Sequence, residues 1–172
     1  MNIILLGYMG CGKSVIGSEL ALKLGLKFID LDSFIEDNEQ QFISNIFRDK
    51  GDVYFRNIET IYLNKLLDDY DNIVLSLGGG TPCYNDNMNT IISSNNQSFY
   101  LKNSNIQLSK RLFIEKKFRP IISEIKTEEK LIEFVSKHLF EREIFYSKAS
   151  YVIDCNKETS DSVCKSIISK LN

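Results

Sequence analysis

Short apolar runs alternate along this chain with longer stretches in which apolar residues recur at helical spacing. The runs are rich in β-branched and aromatic residues and occupy residues 3–6, 27–29, 73–77, 98–101 and 151–153. Between them, patterns such as Ile16, Leu20 and Leu24 repeat every fourth residue, as on the buried face of a helix. Strands that alternate with helices are typical of a parallel sheet covered by helices on both faces. The pattern therefore predicts an α/β fold. Because we find no repeat and no low-complexity linker, we expect one domain over residues 1–172.

Several polar residues mark where the predicted helices begin and end. Gly25 follows the first helical stripe and supplies a stop. Ser104 begins a capping box, which predicts a helix through about Phe113. Thr127 is followed by two acidic residues and suits the start of another helix. That helix carries residues spaced four apart on one stripe, namely Phe134, His138, Arg142 and Tyr146.

A glycine-rich loop, residues 7–14, reads G-Y-M-G-C-G-K-S and fits the phosphate-binding pattern G-x-x-x-x-G-K-[ST]. It lies between the first apolar run and the first helical stripe. There, backbone N–H groups and the positive end of the helix can bind phosphates. Lys13 can reach the terminal phosphates, and Ser14 can ligate magnesium. The alternative is a glycine turn that binds nothing, but the strand, the spacing, the lysine and the serine together favour a nucleotide site.

Two aspartates, Asp30 and Asp32, end the second predicted strand. Residues two apart on a strand point the same way, and ligands of open α/β sheets bind beyond the carboxyl ends of the strands. We therefore expect both carboxylates to face the phosphate-binding crevice, one serving a metal and the other an acceptor hydroxyl. The alternative is that Asp32 simply caps a helix that begins at Ser33.

Three further segments are candidates for ligand contacts. Arg56 lies in a helical F-R-x-x-E stretch, where it either grips an anionic substrate or pairs with a surface acid. The glycines at positions 78–80 follow a buried strand and expose bare backbone at the same sheet edge, unless they form only a flexible turn. Arg119 precedes Pro120 between two helical segments. It is either a lid arginine that closes over the γ-phosphate or part of a solvated basic loop.

Composition excludes several classes of function. The chain has 172 residues with 43% hydrophobic residues, 26% charged residues and a net charge of −2. It has no basic footprint for nucleic acid and no apolar run long enough to span a membrane. The four cysteines are scattered without a C-x-x-C pair, which argues against zinc and a disulfide framework and favours a cytoplasmic location. The lone histidine, His138, is interpreted as structural.

Taken together, these motifs and their order resemble shikimate kinase. The family pattern runs from the glycine-rich loop through D-x-D, F-R-x-x-E, G-G-G and R-P-[LI] to R-x-x-x-Y, matched here by Arg142 and Tyr146. The likeness covers essentially the whole chain. It implies a fold like that of the nucleoside-monophosphate kinases, with a five-stranded parallel sheet in the order 2-3-1-4-5. It also implies a monomer that transfers the γ-phosphoryl group of ATP to the 3-hydroxyl of shikimate, with Mg²⁺ as cofactor and ADP as product.

The resemblance also assigns roles to individual residues. It implies that Lys13, Asp32 and Arg119 are catalytic, and that Mg²⁺ is held by Ser14 and Asp30. The residues that it places on ATP are Gly10, Cys11, Gly12, Lys13, Ser14, Val15, Arg111 and Arg119. The residues that it places on shikimate are Asp32, Phe47, Phe55, Arg56, Gly78, Gly79, Gly80 and Arg142. It divides the chain into a substrate-binding helical segment of about residues 32–60 and a lid of about residues 115–126.

Other readings stay open at this stage. Another small-metabolite kinase of similar fold, such as a gluconate kinase, is one alternative, and a catalytically inactive shikimate-binding module is another. A GTP-dependent switch is disfavoured because the sequence has neither an N-K-x-D nor a D-x-x-G motif. The chain departs from the family pattern at Cys11, where a smaller residue is more usual, and at residues 155–158, which lack the proline often found near adenine. The Cys11 thiol, close to Lys13, is a candidate for sensitivity to oxidants.

Overall fold

The structure is a computed structural model that describes residues 1–93, 96–116 and 120–171. Within these residues, five strands form one sheet in the order β2-β3-β1-β4-β5, and every neighbouring pair is parallel. The strands are β1 Asn2–Leu6, β2 Lys27–Asp30, β3 Ile73–Ser76, β4 Asn96–Lys102 and β5 Tyr151–Asp154. This arrangement confirms the predicted α/β fold and the strand order 2-3-1-4-5.

Seven α-helices and two 3₁₀ turns connect or follow the strands in the described part of the chain. The helices are α1 Lys13–Leu24, α2 Leu31–Glu39, α3 Ile43–Asp69, α4 Asn87–Ile91, α5 Asn105–Glu115, α6 Glu128–Tyr146 and α7 Ser160–Leu171. The 3₁₀ turns are Thr81–Cys83 and Pro120–Ile122. No helix among the described residues is both long enough and apolar enough to cross a membrane.

The central strands β1 and β3 are buried along their whole length. Because successive strand residues point to opposite faces, complete burial requires helices on both sides of the sheet. Helix α1 approaches the sheet closely at Gly17, where an added Cβ would lie 2.5 Å from a ring carbon of Phe28. This helix is therefore fixed against the sheet, and its first turn is fixed with it.

The predicted helix boundaries are confirmed at three places. Gly25 ends α1 in the left-handed conformation with φ 65°. The Ser104 hydroxyl accepts a hydrogen bond from the Gln107 amide at 3.3 Å, and the Thr127 hydroxyl caps α6 in the same way. One feature was not predicted: α3 is interrupted at Gly51, which has φ 82° and ψ 173°.

The strand order brings three loops with candidate ligand-binding residues together. Strands β2, β3 and β1 are neighbours, so their carboxyl ends lie side by side at one edge of the sheet. These ends lead into Asp30 at the start of α2, the three glycines that begin at Gly78, and the glycine-rich loop before α1. The segments that the sequence singled out for chemistry therefore meet at one place, as expected for an open α/β sheet.

Candidate functional site

The glycine-rich loop adopts a backbone that only glycine readily permits. Gly10 and Gly12 have φ values of 76° and 96°, and Gly12 immediately precedes the first residue of α1. Among the described residues, no side chain caps this helix start. The first-turn N–H groups of α1 have no partners one helical turn back, so together with the helix dipole they form a site for an anion.

Lys13 is folded back over its own loop. Its ammonium donates to the carbonyl oxygens of Gly7 at 2.8 Å and Tyr8 at 3.1 Å, and it lies 3.6 Å from the Cys11 thiol. The residue is only 8% exposed. The lysine is therefore held at the floor of the loop by neutral acceptors, which an anionic phosphate can outcompete because charged hydrogen bonds are the stronger ones.

Asp30 connects the loop to α2. Its Oδ2 accepts from the Ser14 hydroxyl at 2.8 Å, and its Oδ1 accepts from the backbone amide of Asp32 at 3.1 Å. Asp30, rather than Asp32, is thus the N-cap of α2, which begins at Leu31. The alternative reading of Asp32 as a cap for a helix beginning at Ser33 is wrong. The premise that both aspartates lie on one strand is also wrong, because Asp32 is in the first turn of α2.

Both carboxylates nevertheless line one cavity, as expected. We call it the loop cavity; it encloses about 290 Å³. Its walls include residues of the glycine-rich loop and of the two neighbouring strand ends, among them Gly10, Gly12, Lys13, Ser14, Val15, Asp30, Asp32 and Gly79. The loop cavity thus collects most of the residues predicted to bind the nucleotide and the metal.

Asp32 has the most unusual electrostatic environment in this cavity. Burial raises the pKa of its carboxyl to about 6, with further increases from the negative charges of Asp30 and Glu59 and an opposing effect from Lys13. A carboxyl with a pKa close to neutrality can both hold and release a proton at working pH. Asp32 therefore has the property required of a general base.

A second cavity of about 460 Å³ adjoins the first, and we call it the arginine pocket. The two cavities share Met9, Asp32 and Gly79. The arginine pocket is lined by residues from α2, α3, the glycines after β3 and α6, among them Phe47, Phe55, Arg56, Glu59, Gly78, Gly80 and Arg142. Every residue predicted to bind the acceptor therefore lies on this pocket.

Arg56 is held by charged and aromatic neighbours. It donates to the buried Glu59 carboxylate at 2.8 Å and lies 3.3 Å from Asp52. Its guanidinium carbon lies 4.0 Å from the centre of the Tyr84 ring and 5.1 Å from that of Phe55. The two readings of this arginine are not exclusive, because it is ion-paired and also faces the pocket.

The glycines at positions 78–80 lie in close contact with three parts of the site. A Cβ on Gly78 would lie 2.8 Å from the Asp32 carboxylate, and one on Gly80 would lie 2.9 Å from the Arg56 guanidinium. A Cβ on Gly79 would lie 3.2 Å from the backbone nitrogen of Met9. The bare backbone therefore lets the carboxylate, the arginine and the glycine-rich loop approach one another.

Helix α6 closes the far side of the arginine pocket. Arg142 donates to the carbonyl oxygen of Gly79 at 3.2 Å, and the Tyr146 hydroxyl donates to the same oxygen. The guanidinium carbon of Arg142 also lies 5.8 Å from the centre of the Tyr8 ring. Arg56 and Arg142 thus present two guanidinium groups to one pocket, an arrangement suited to an anionic ligand such as a carboxylate.

Arg111 and Cys11 lie on the other side of the glycine-rich loop. Arg111 donates to the Gly10 carbonyl at 3.4 Å. With Cys11, Cys155 and Glu158 it lines a cavity of about 200 Å³. Of the residues predicted to bind ATP, these two therefore adjoin the loop cavity from outside. The Cys11 thiol is buried, and all four cysteines are free.

One predicted site residue lies outside the described part of the chain, and one residue that lines the arginine pocket was not predicted. Arg119, predicted to be the lid arginine, lies outside the described residues, as do Lys117 and Phe118 in the same predicted lid. Glu59 was not assigned a role from the sequence, although it is 1% exposed and supports Arg56. The spacing of three residues between Arg56 and Glu59 in a helix is a signal that predicts this ion pair.

Comparisons with known proteins agree with this geometry. The family model described as shikimate kinase matches residues 9–172. The chain is 40% identical over 170 residues to the shikimate kinase of Azobacteroides pseudotrichonymphae, covering 99% of each protein. It is 39% identical to the shikimate kinase of Flavobacterium johnsoniae, covering 97% of this chain and 96% of that protein.

Solved structures give the same result. A crystal structure of shikimate kinase from Bacteroides thetaiotaomicron superposes with a TM-score of 0.90 at 32% identity, covering 99% of this chain and 98% of the other. A shikimate kinase from Acinetobacter baumannii in complex with shikimate superposes with a TM-score of 0.85 at 30% identity, covering 99% and 92%. A deoxyadenosine kinase from M. mycoides, at 17% identity and a TM-score of 0.58, shares the fold alone. This chain therefore belongs to the shikimate kinase family of ATP-dependent kinases.

Proposed function

We propose that this enzyme transfers the γ-phosphoryl group of ATP to the 3-hydroxyl of shikimate and releases ADP and shikimate 3-phosphate. The observation that carries the proposal is the position of Asp32. Its carboxyl lies on the wall shared by the loop cavity and the arginine pocket, and burial raises its pKa to about 6. A base at this junction can accept the proton of an acceptor hydroxyl as that hydroxyl attacks the phosphoryl group.

The loop cavity is proposed to hold the phosphates of ATP. The backbone of Gly10, Gly12 and the first turn of α1 would donate to phosphate oxygens. Lys13 would leave the carbonyls of its own loop and neutralise charge on the transferred group. Arg111, which adjoins the loop from the side, would lie along the nucleotide base.

The arginine pocket is proposed to hold shikimate. Arg56 and Arg142 would bind the carboxylate of the acceptor, since both guanidinium groups face the same pocket. Phe47 and Phe55 would pack against the apolar face of the ring; their own ring centroids are 4.5 Å apart. The backbone at Gly79 would close the pocket on the side of the glycine-rich loop.

The residues present fit a magnesium ion bound together with ATP. The Ser14 hydroxyl lies 2.8 Å from Asp30 Oδ2 inside the loop cavity. Among the described residues, no group of three His, Cys, Asp or Glu side chains forms an all-protein metal site. One hydroxyl and one carboxylate suit Mg²⁺, which takes its other ligands from phosphate oxygens and water. When bound, the ion would neutralise phosphate charge, while Ser14 and Asp30 would hold it in place.

Five further expectations belong to the same proposal. A lid of about residues 115–126 would bring Arg119 onto the γ-phosphate, and a helical segment of about residues 32–60 would carry the acceptor pocket. The whole chain would form one domain. We also propose that the enzyme is a monomer that works in the cytoplasm, where its four free cysteines would stay reduced.

A direct assay tests the proposed function. ADP formation would be followed with ATP and Mg²⁺ in the presence of shikimate, gluconate or a nucleoside, each at the same concentration. Of the three acceptors, we expect turnover only with shikimate. Phosphorus NMR should then show one new phosphate monoester, on the 3-hydroxyl. Preference for gluconate or a nucleoside would overturn the proposed acceptor, and ATP hydrolysis without any phosphorylated acceptor would overturn the transfer.

A further inference from the structure

Tyr8, in the glycine-rich loop, contacts groups from both cavities. Its carbonyl oxygen accepts from the Lys13 ammonium at 3.1 Å. Its ring centre lies 5.8 Å from the guanidinium carbon of Arg142. Its hydroxyl lies 2.9 Å from Nδ1 of His138. One buried residue thus touches the lysine proposed for the phosphate and the arginine proposed for the acceptor carboxylate.

His138 is held in a fixed orientation by its neighbours on α6 and in the loop. It lies one helical turn before Arg142 and one turn after Phe134. The Phe134 and His138 rings are 5.3 Å apart, and the Tyr8 and His138 rings are 5.6 Å apart and nearly perpendicular. The imidazole therefore packs between two aromatic rings while Nδ1 reaches the Tyr8 hydroxyl.

The hydrogen bond matters because Tyr8 is almost completely buried. The residue is 1% exposed, and a buried phenol hydroxyl without a partner is costly. Among the described residues, His138 is the partner of this hydroxyl. Without that bond, the Tyr8 ring loses the contact that sets its orientation beneath Arg142.

Contacts around Tyr8 join helix α6 to the glycine-rich loop and so set the distance between the two cavities. The backbone at Gly79 lies between the glycine-rich loop and α6. A Cβ added to Gly79 would lie 3.2 Å from the backbone nitrogen of Met9, and the Gly79 carbonyl accepts a hydrogen bond from Arg142. Helix α6 thus touches the loop through two routes, one through the Gly79 backbone and one through the Tyr8–His138 pair. If the Tyr8–His138 hydrogen bond is lost, only the Gly79 backbone still holds Arg142 against the glycine-rich loop.

We propose that Tyr8 and His138 are positioning residues that fix α6 against the glycine-rich loop, so that Arg142 holds the acceptor at a set distance from the nucleotide. The inference rests on the proposed function, because it treats the arginine pocket as the shikimate site. Neither side chain touches the reacting atoms in this account. Both act through Arg142.

Three variants and one control test the pair. Tyr8→Phe removes the hydroxyl and keeps the ring, and His138→Leu removes the nitrogen. His138→Asn places an amide near the position of Nδ1. Because an amide can donate or accept, it can form the hydrogen bond with Tyr8 whichever of the two groups is the donor. Tyr62→Phe is the control, because the Tyr62 hydroxyl donates to Glu39 at 2.8 Å away from the arginine pocket lining.

The readouts are KM for shikimate, KM for ATP, kcat and the melting temperature. We expect Tyr8→Phe and His138→Leu to raise KM for shikimate by about threefold to tenfold, the scale of one hydrogen bond, with KM for ATP within about twofold of wild type. The double variant should be no worse than the poorer single one, because both lose the same contact. His138→Asn should restore most of the affinity, and Tyr62→Phe should leave both KM values unchanged.

Two results would overturn the inference by itself. One is an active wild type whose Tyr8→Phe and His138→Leu variants keep normal KM for shikimate while losing melting temperature, which would make the pair structural only. The other is an equal rise in both KM values, which would place the effect in the loop and not in the position of Arg142. A wild type that fails to phosphorylate shikimate would instead overturn the proposed function, and this inference with it.

Discussion

The loop cavity and the arginine pocket share a wall but are built in different ways. Half of the residues that line the loop cavity belong to the glycine-rich loop and the first turn of α1, where Gly10 and Gly12 have positive φ angles. The arginine pocket is lined by residues that lie far apart in the chain, on α2, α3, the glycines after β3 and α6, with further contributions from Met9 and Ile121. A short motif can therefore encode about half of the first cavity, whereas the second depends on tertiary packing of distant segments.

Their charged groups differ in the same way. Lys13 is bonded to neutral carbonyls of its own loop, which it can leave for a phosphate. Arg56 is committed to the buried Glu59 and to Asp52, so its guanidinium is oriented before any ligand arrives. We therefore expect substitutions in the loop cavity to remove chemistry with little effect on folding. Substitutions in the arginine pocket should reduce affinity and, where an ion pair is buried, stability as well.

The largest effect should come from Lys13→Ala. Loss of a cation on the transferred phosphate should lower turnover by about 10³–10⁵-fold, the scale known for arginine fingers. The two loop carbonyls lose one donor, which should cost only about 1 kcal/mol of stability. Steady-state kinetics and thermal unfolding measure both. Lys23→Ala is the matched control, since Lys23 lies in the last turn of α1, away from the loop, and pairs with Glu19 of α1 and Asp161 of α7. Near-normal turnover in folded Lys13→Ala would refute the assignment of the loop cavity to the transferred phosphate.

Asp32→Asn tests the role of the carboxylate that lies on both cavities. The amide keeps the shape of the side chain but cannot accept a proton, so turnover should fall by about 10²–10⁴-fold. Affinity for ATP, measured by calorimetry, should barely change. Asp37→Asn, an exposed position on the same helix, serves as the control. If ATP affinity falls while turnover stays normal, Asp32 belongs to the nucleotide side alone and the comparison of the two cavities must be redrawn.

The two arginines sharpen the comparison within the arginine pocket. Arg56→Ala and Arg142→Ala should each weaken shikimate binding by about 1.5–3 kcal/mol, the scale of a charge-assisted hydrogen bond. Their effects on folding should differ. Removal of Arg56 leaves the Glu59 carboxylate buried without its ion pair, which should cost about 3 kcal/mol. Removal of Arg142 leaves the Gly79 carbonyl with the Tyr146 hydroxyl as a partner.

Calorimetric titration with shikimate and denaturant unfolding separate these outcomes. Arg48→Ala is the control, because the Arg48 side chain is 69% exposed and pairs only with its neighbour Asp49 in the described structure. Normal shikimate affinity in either variant would make that arginine a structural ion-pair or hydrogen-bond partner. Equal losses of stability in both variants would mean that the Glu59 ion pair contributes little.

The contrast between the cavities also explains what the sequence could predict. Strand positions and the strand–loop–helix context of Lys13 follow from local periodicity and glycine spacing, and both are confirmed. The strand order came from resemblance to a family, because nothing in one strand's sequence specifies its neighbours. Asp32 was assigned to a strand because a residue-by-residue pattern does not show where a strand ends. The chain in fact turns into α2 at Leu31, with Asp30 as its cap.

The supports within the arginine pocket were harder to predict. The contact between Glu59 and Arg56 could be predicted from helical spacing. The second contact of Glu59 could not, because Thr81 donates to it at 2.6 Å from 22 residues away. The hydrogen bond between Tyr8 and His138 joins residues 130 positions apart. Such contacts depend on tertiary packing and carry no local signal. The sequence led us to interpret His138 as structural, and only the folded structure shows that its partner is the Tyr8 hydroxyl.

A smaller effect than those at the two arginines is expected at Asp32, where stability should depend on pH. The pKa of its carboxyl is about 6 in the folded protein and about 4 in the unfolded chain, because burial and nearby acids disfavour its charge. Below pH 4 the carboxyl is protonated in both states and has no effect on stability. Between pH 4 and pH 6 it ionises first in the unfolded chain, so the folded state loses stability as pH rises, and above pH 6 the loss is complete. The Asp32→Asn variant has no charge to bury, so its free energy of unfolding should exceed that of the wild type at high pH. After allowance for partial solvent exposure, this excess should be about 1–2 kcal/mol larger at pH 7.5 than at pH 4.5. Denaturant unfolding at the two pH values, with Asp37→Asn as the control, measures this difference. A gap between variant and wild type that is the same at both pH values would show that Asp32 titrates normally and would remove the electrostatic reason for treating it as the base.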